Sequence, residues 1–175
     1  NGKEIITMGF FSNLFPKPEE APAFDGNKIY APMNGKAVPI TDVPDSTFAE
    51  CLLGNGIAIV PSDGKVYSPV DGTVETMFIT GHAVCLKSNT GVEILIHMGL
   101  ETVNLRGEPF TIHCKDGDTV KKGQLLLEAD LDAIQAAGLP IITPVLVCNN
   151  YDYPTFDVVT GDFVSNDDIV ISVAK

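Results

Sequence analysis

The strongest constraint in this chain is a phrase that occurs twice. Ile29-Tyr30-Ala31-Pro32-Met33-Asn34-Gly35-Lys36-Ala37-Val38 is echoed by Val66-Tyr67-Ser68-Pro69-Val70-Asp71-Gly72-Thr73-Val74. Each copy runs apolar, aromatic, small, proline, apolar, Asx-Gly, then back toward valine. Proline removes a backbone N–H, and an Asx-Gly pair favours a tight turn with positive φ. Each copy is therefore expected to be a strand bend or a hairpin. Two copies predict a sheet built by internal hairpin duplication and are too few for a solenoid.

The rest of the text from residue 29 has the same character. Glycines and prolines (16 and 12) recur throughout, which marks short strands joined by turns. With no Trp and few aromatics, the core must come mainly from Val, Ile and Leu. Residues 116–125 read as a further turn-rich hairpin, and 145–148, 157–159 and 169–173 as strands. Residues 130–137 form the modest helix candidate, with Asp130 or Asp132 as N-cap and Gly138 as its end. The expectation is an all-β domain over 29–175: an antiparallel β-sandwich or flattened barrel with at most one or two short helices.

Residues 1–28 read differently. Phe11, Leu14 and Phe15 would share one face of a helix, within the short apolar run Met8-Gly9-Phe10-Phe11-Ser12-Asn13-Leu14-Phe15. Pro16-Lys17-Pro18-Glu19-Glu20-Ala21-Pro22 then reads as a flexible linker. The apolar face is a candidate for touching a membrane surface, beside the readings of a flap onto the body or plain disorder. A basic n-region is missing, so a secretory signal is not expected, and Met8 is a candidate native start.

Charge excludes one class of function. Eleven basic against 23 acidic residues give a formal charge of -12, with no Lys/Arg cluster to displace counterions from a nucleic acid. An acidic surface suits a basic protein partner. Cys51, Cys85, Cys114 and Cys148 include no C-x-x-C pair and read as small buried hydrophobes in a reducing cytoplasm. No apolar run approaches the ~20 residues that span a bilayer.

The chemistry is concentrated in residues 78–103, FITGHAVCLKSNTGVEILIHMGLETV. Residues 82–87 and 92–98 read as strands around Ser88-Asn89-Thr90-Gly91. With Asn89 and Thr90 as a two-residue loop, His82 falls directly opposite His97, about 5 Å away between Cβ atoms. In that register Val84 faces Leu95 on the histidine side and Cys85 faces Ile94 on the other. A one-residue slip would send the histidines to opposite faces. A neutral imidazole is a nucleophile near neutral pH, and a second one can donate a hydrogen bond to anionic oxygens. The pair can also contribute to a zinc site, although two ligands fall short of the usual three or four. His113, with no partner in reach by sequence, reads as structural.

These segments resemble the glucose superfamily of enzyme IIA domains of the phosphoenolpyruvate-dependent sugar phosphotransferase system. Gly91-Val92-Glu93-Ile94-Leu95-Ile96-His97-Met98-Gly99-Leu100-Glu101-Thr102-Val103 is similar to the family's phosphorylation-site segment, and Thr80-Gly81-His82-Ala83 to its second-histidine segment. Residues 42–50, 54–59, 68–72 and 139–149 also match in order. The resemblance implies an antiparallel sandwich and a relay. His97 takes a phosphoryl group from the carrier HPr on Nε2 and passes it to a cysteine of a permease IIB domain. His82 stabilises the phosphoryl oxygens, and Thr80 orients His82. It also implies a docking face in which Phe48, Phe78 and Met98 are apolar members and Asp45 and Glu101 acidic ones; Glu101 departs from the Asp common in relatives. No cofactor is required. Zinc would be incidental, held by His82 and His97 with a partner's carboxylate. Regulatory target proteins are further expected partners. The tail resembles that of free-standing members, which places the protein in the cytoplasm or peripherally at the membrane's inner face. Two rival functions are a zinc-dependent hydrolase of similar architecture, which needs a third ligand, and a non-catalytic regulatory or biotinyl-type binding module.

Overall fold

The computed structural model describes residues 25–175. The apolar segment and linker of the tail lie outside the described residues. The chain forms, in order, strands β1 (Lys28–Tyr30) and β2 (Gly35–Pro39), helix α1 (Ser46–Ala49), β3 (Asn55–Pro61), β4 (Lys65–Tyr67), β5 (Gly72–Met77), β6 (Ala83–Ser88) and β7 (Glu93–His97). Then come β8 (Phe110–Ile112), β9 (Thr119–Val120), β10 (Leu125–Ala129), helix α2 (Leu131–Ala136), β11 (Thr143–Val147), β12 (Thr155–Val158), β13 (Phe163–Val164) and β14 (Ile169–Ala174). They build an eight-stranded sheet, β13-β2-β3-β11-β7-β6-β5-β9, and two three-stranded sheets, β1-β14-β12 and β4-β10-β8. The sheets stay open, so the architecture is a sandwich rather than a closed barrel.

The duplication reaches well beyond the repeated phrase. The two copies cross and hold each other: Tyr30 N–H donates to the Pro69 carbonyl (3.1 Å), and Tyr67 N–H donates to the Pro32 carbonyl (2.7 Å). Gly35 faces Pro61 as Gly72 faces Ser88. At the sheet's edges, β13 lies on β2 as β9 lies on β5. In the small sheets β14 pairs with β1 as β10 pairs with β4, each with a register break at the same place. Along these registers β6 corresponds to β3, and β7 to β11. The two halves meet where β7 and β11 pair at the centre of the large sheet.

The two Asx-Gly glycines have a different purpose from the one expected. Neither Gly35 nor Gly72 adopts positive φ. A Cβ at Gly35 would lie 2.2 Å from the Val60 carbonyl oxygen, and one at Gly72 2.1 Å from that of Lys87. Glycine is required there so that a bending strand can pass close to its neighbour. Each copy is a bend that carries the chain from one sheet to the other. The 116–125 hairpin is also corrected: β9 and β10 join different sheets and do not pair with each other. Helix α2 starts at the expected cap, where Asp130 Oδ1 accepts Ala133 N–H (3.0 Å), and ends at Gly138 in the left-handed region.

Between the sheets, Ile57, Ile59, Leu86, Ile94, Ile96, Leu126, Leu127 and Val145 form the main core. Each such side chain contributes roughly 1.5–3 kcal/mol on leaving water. Alternation then sends Leu95 and His97 to the outer face of β7. A second, smaller cluster covers that face, with Ile40, Val43, Phe48, Ala83, Leu95, Leu100 and Leu146 packed under α1. The candidate site sits at the edge of this cluster.

Candidate functional site

The β6–β7 register is one residue away from the expected one: Ala83, not His82, faces His97, with Cys85 opposite Leu95 and Lys87 opposite Glu93. The loop holds three residues rather than two. Gly91 N–H donates to the Ser88 carbonyl (3.0 Å), Ser88 N–H donates to the Val92 carbonyl (2.9 Å), and Gly91 takes φ 93°. This is the three-residue hairpin that a left-handed glycine permits. Val84 accordingly points into the main core, and Cys85 lies on the histidine side with Leu95.

The two rings nevertheless meet, with centroids 5.3 Å apart at 78°. His82 precedes β6 and is not bound by its pleat. It follows Gly81 (φ 69°), whose N–H donates to the Phe78 carbonyl (2.7 Å) in a tight turn. The His82 carbonyl accepts Met98 N–H (2.7 Å), which ties that turn to the end of β7. A slip that would separate two residues inside strands leaves this pair together, because a turn sets the direction of His82.

The hydrogen-bond partners give the two imidazoles different free nitrogens. His97 Nδ1 lies 2.7 Å from the Gly99 carbonyl oxygen, which can only accept. His97 therefore carries its proton on Nδ1 and keeps a lone pair on Nε2. His82 Nδ1 lies 2.6 Å from Thr80 Oγ1, a hydroxyl that can donate. With Thr80 donating, His82 bears its proton on Nε2. One ring then offers a nucleophile and the other a hydrogen-bond donor.

Burial pushes both imidazoles below the ordinary histidine pKa. For His82 the neighbouring His97 adds to the effect; for His97 the Gly99 carbonyl and the Asp45 carboxylate pull the other way. Both rings are kept neutral near pH 7. Phe48 and Phe78 wall the pair, with ring centroids 5.0 Å from His97 and 5.2 Å from His82. Phe48 is delivered by α1, whose cap is Asp45: its Oδ1 accepts Thr47 N–H (2.9 Å). The single residue Asp45 thus starts the helix and supplies negative charge to the site.

Other expected positions fall elsewhere. Met98 is fully buried in the main core, where its sulfur lies 3.1 Å from Thr143 Oγ1, so it cannot belong to an exposed docking face. Phe48 is only 5% exposed and acts as a wall, whereas Phe78 is 39% exposed and neighbours the fully open Ile79. Glu101 is exposed and held at φ 58°. His113 does have a partner, Glu128 on the adjacent strand, at 2.7 Å. Sequence reasoning missed Gly99 as the residue whose carbonyl fixes His97; a glycine two places after the histidine was the available signal. Among the described residues, no group of three His, Cys, Asp or Glu side chains could hold a metal ion.

Two neutral imidazoles with complementary free nitrogens thus meet on the outer face of a duplicated antiparallel sandwich. The family model for the phosphoenolpyruvate-dependent sugar phosphotransferase system, EIIA 1, matches residues 27–153. The chain belongs to this family, the EIIA components of sugar phosphotransferase systems. It is 44% identical over 139 residues to a glucose-specific EIIA component of Oceanobacillus iheyensis, covering 79% of this chain and 83% of the relative. It is 46% identical over 124 residues to the glucose-specific EIICBA component of Staphylococcus saprophyticus, covering 71% of this chain but 18% of that larger protein. Among solved structures it is similar to the glucose permease IIA from Mycoplasma capricolum, with a TM-score of 0.77 and 34% identity over 82% of this chain and 93% of that one. Among the described residues, no helix is long and apolar enough to cross a membrane.

Proposed function

We propose that His97 is the phosphoryl acceptor of a sugar-uptake relay, with a phosphohistidine of an HPr-type carrier as donor and a IIB cysteine as acceptor. The opposed tautomers of His97 and His82 carry this reading. The His97 Nε2 lone pair attacks phosphorus as the donor's P–N bond breaks, and the electron pair returns to the donor imidazole. The His82 Nε2 proton bonds the phosphoryl oxygens, where charge accumulates. In the second step a cysteine thiolate attacks the same phosphorus, the His97 P–N bond breaks, and the neutral ring returns. Phe48 and Phe78 restrict water, which slows hydrolysis of the intermediate.

Fusion of EIIA to B and C components in the Staphylococcus relative supports a IIB partner. The formal charge of -12 and the Asp45 carboxylate acting on His97 support a basic donor. Both exchanges take place in the cytoplasm. The test is incubation with phosphoenolpyruvate, enzyme I and HPr, read by intact mass. Wild type should gain one acid-labile phosphoryl group, and His97→Ala none. Folded wild type that stays unmodified would overturn the proposal.

A further inference from the structure

The nucleophile depends on a carbonyl, and the sequence around that carbonyl is strained. Gly99 has φ 74° and Glu101, two residues on, has φ 58°. A non-glycine residue in the left-handed region costs about 1–2 kcal/mol, so this turn must be held by other contacts. Two contacts hold it. The peptide that presents the Gly99 carbonyl to His97 Nδ1 also presents the Leu100 N–H, which donates to the Pro140 carbonyl (3.1 Å). The peptide before it is held by Thr102, whose Oγ1 donates to the Met98 carbonyl (2.6 Å). Thr102 is wholly buried. A Cβ on Gly99 would lie 2.7 Å from both the Pro140 carbonyl oxygen and Thr102 Cγ2, so the two supports press on the same glycine.

We infer that Thr102 is a positioning residue for phosphoryl acceptance. Its hydroxyl fixes the peptide between Met98 and Gly99, and through it the orientation of the Gly99 carbonyl that selects the reactive tautomer of His97. The inference rests on His97 being the acceptor, but the tautomer it controls is a property of the protein alone. Without the hydroxyl, the Met98 carbonyl is buried without its side-chain donor and the turn can rotate. The Gly99 carbonyl then swings off the His97 Nδ1 axis, and the proton is free to occupy Nε2, where it blocks attack. Thr102 touches no reacting atom.

The experiment compares wild type, Thr102→Val and Thr102→Ser at pH 8, where histidine is neutral. Nitrogen-15 shifts of the imidazole rings report which nitrogen of His97 carries the proton. Phosphoryl uptake from phospho-HPr is measured on the same samples. Wild type should show the Nδ1–H form. Thr102→Val should show a mixture and take up phosphoryl groups on the order of tenfold more slowly; Thr102→Ser should restore both. If Thr102→Val does not fold, Thr102→Ala replaces it in the comparison with Thr102→Ser. A folded variant without the hydroxyl but with the wild-type tautomer overturns the inference, whatever its uptake rate. A wild type that takes up no phosphoryl group sinks the relay reading instead, and the tautomer comparison still shows whether Thr102 sets the ring.

Discussion

The two halves of the sandwich share a backbone plan and differ in what they do with it. In the first half, Thr80-Gly81-His82-Ala83 leads into β6, which lies beside β7 with His97 opposite Ala83. The corresponding stretch of the second unit is Leu53-Gly54-Asn55-Gly56, leading into β3, with Leu146 of β11 opposite Gly56. Both turns use a glycine at positive φ, 69° at Gly81 and 148° at Gly54. Where one unit carries His82 and His97, the other carries Asn55 and Leu146. Asn55 is used locally, its Oδ1 accepting Gly56 N–H (2.8 Å), and Leu146 is fully buried in the cluster below Phe48. The lesson is that the fold supplies two equivalent sites. One holds the imidazole pair, while the other forms part of the apolar floor beside it.

Exchanging residues between the units tests this division, and the largest effect is expected at His97. His97→Leu, which copies the second unit, should lower phosphoryl uptake by at least about a thousandfold while the protein stays folded, as read by intact mass and circular dichroism. His82→Asn, the matching exchange, should leave uptake measurable and slow onward transfer to IIB by about a hundredfold in stopped-flow mixing. Equal loss in both steps would mean that the two rings do not divide the work as their hydrogen bonds indicate.

The two turn glycines should separate stability from activity. Gly54→Ala places a Cβ 2.4 Å from the Val147 carbonyl oxygen at a φ that side chains do not adopt, and should cost about 3 kcal/mol or more in urea unfolding. At Gly81 the nearest atom is the Phe110 side chain (2.8 Å) and φ lies in the left-handed well, so Gly81→Ala should cost about 1–2 kcal/mol. Gly81→Ala should nevertheless impair onward transfer more than Gly54→Ala does, since it moves His82.

The smallest effect is on pH dependence. Both histidines titrate below their unfolded value, so between the two values the unfolded chain binds more protons. Their contribution to stability is present above pH 6.5 and is lost as pH falls below it. The double variant His82→Asn/His97→Leu should lose less stability between pH 7.5 and 5.5 than wild type does, by denaturant midpoint. A steeper loss in the variant would contradict the lowered values.

Much of this division was legible in the sequence, and the failures have physical causes. The repeated phrase disclosed the duplication because proline and Asx-Gly each restrict the backbone. The pairing of β13 with β2 and β9 with β5 was not legible, since two-residue strands have no periodicity to read. The histidine pair was found through a register that is off by one. Counting a hairpin loop requires knowing whether Gly91 is left-handed, and a sequence offers glycine without its φ. The pair survives because His82 belongs to a turn. The family resemblance alone assigns Met98 to a docking face, yet it lies just past β7 and is buried, with Thr102 Oγ1 on its carbonyl and Thr143 Oγ1 on its sulfur.

The crossed arrangement of the copies also governs how the molecule comes into being. Strand β1, among the first described residues to be synthesised, pairs with β14 alone among the described residues, and β14 ends at Ala174. The emerging chain must therefore leave β1 without this partner until residues 169–174 have left the ribosome. Pairing over that separation is slow, and an unpaired strand edge is sticky in the interval. A nascent chain that stops short of 169–174 would carry both histidines and still lack the strand that joins β1 to β12, so this six-residue strand times the closing of the sandwich around a site already synthesised.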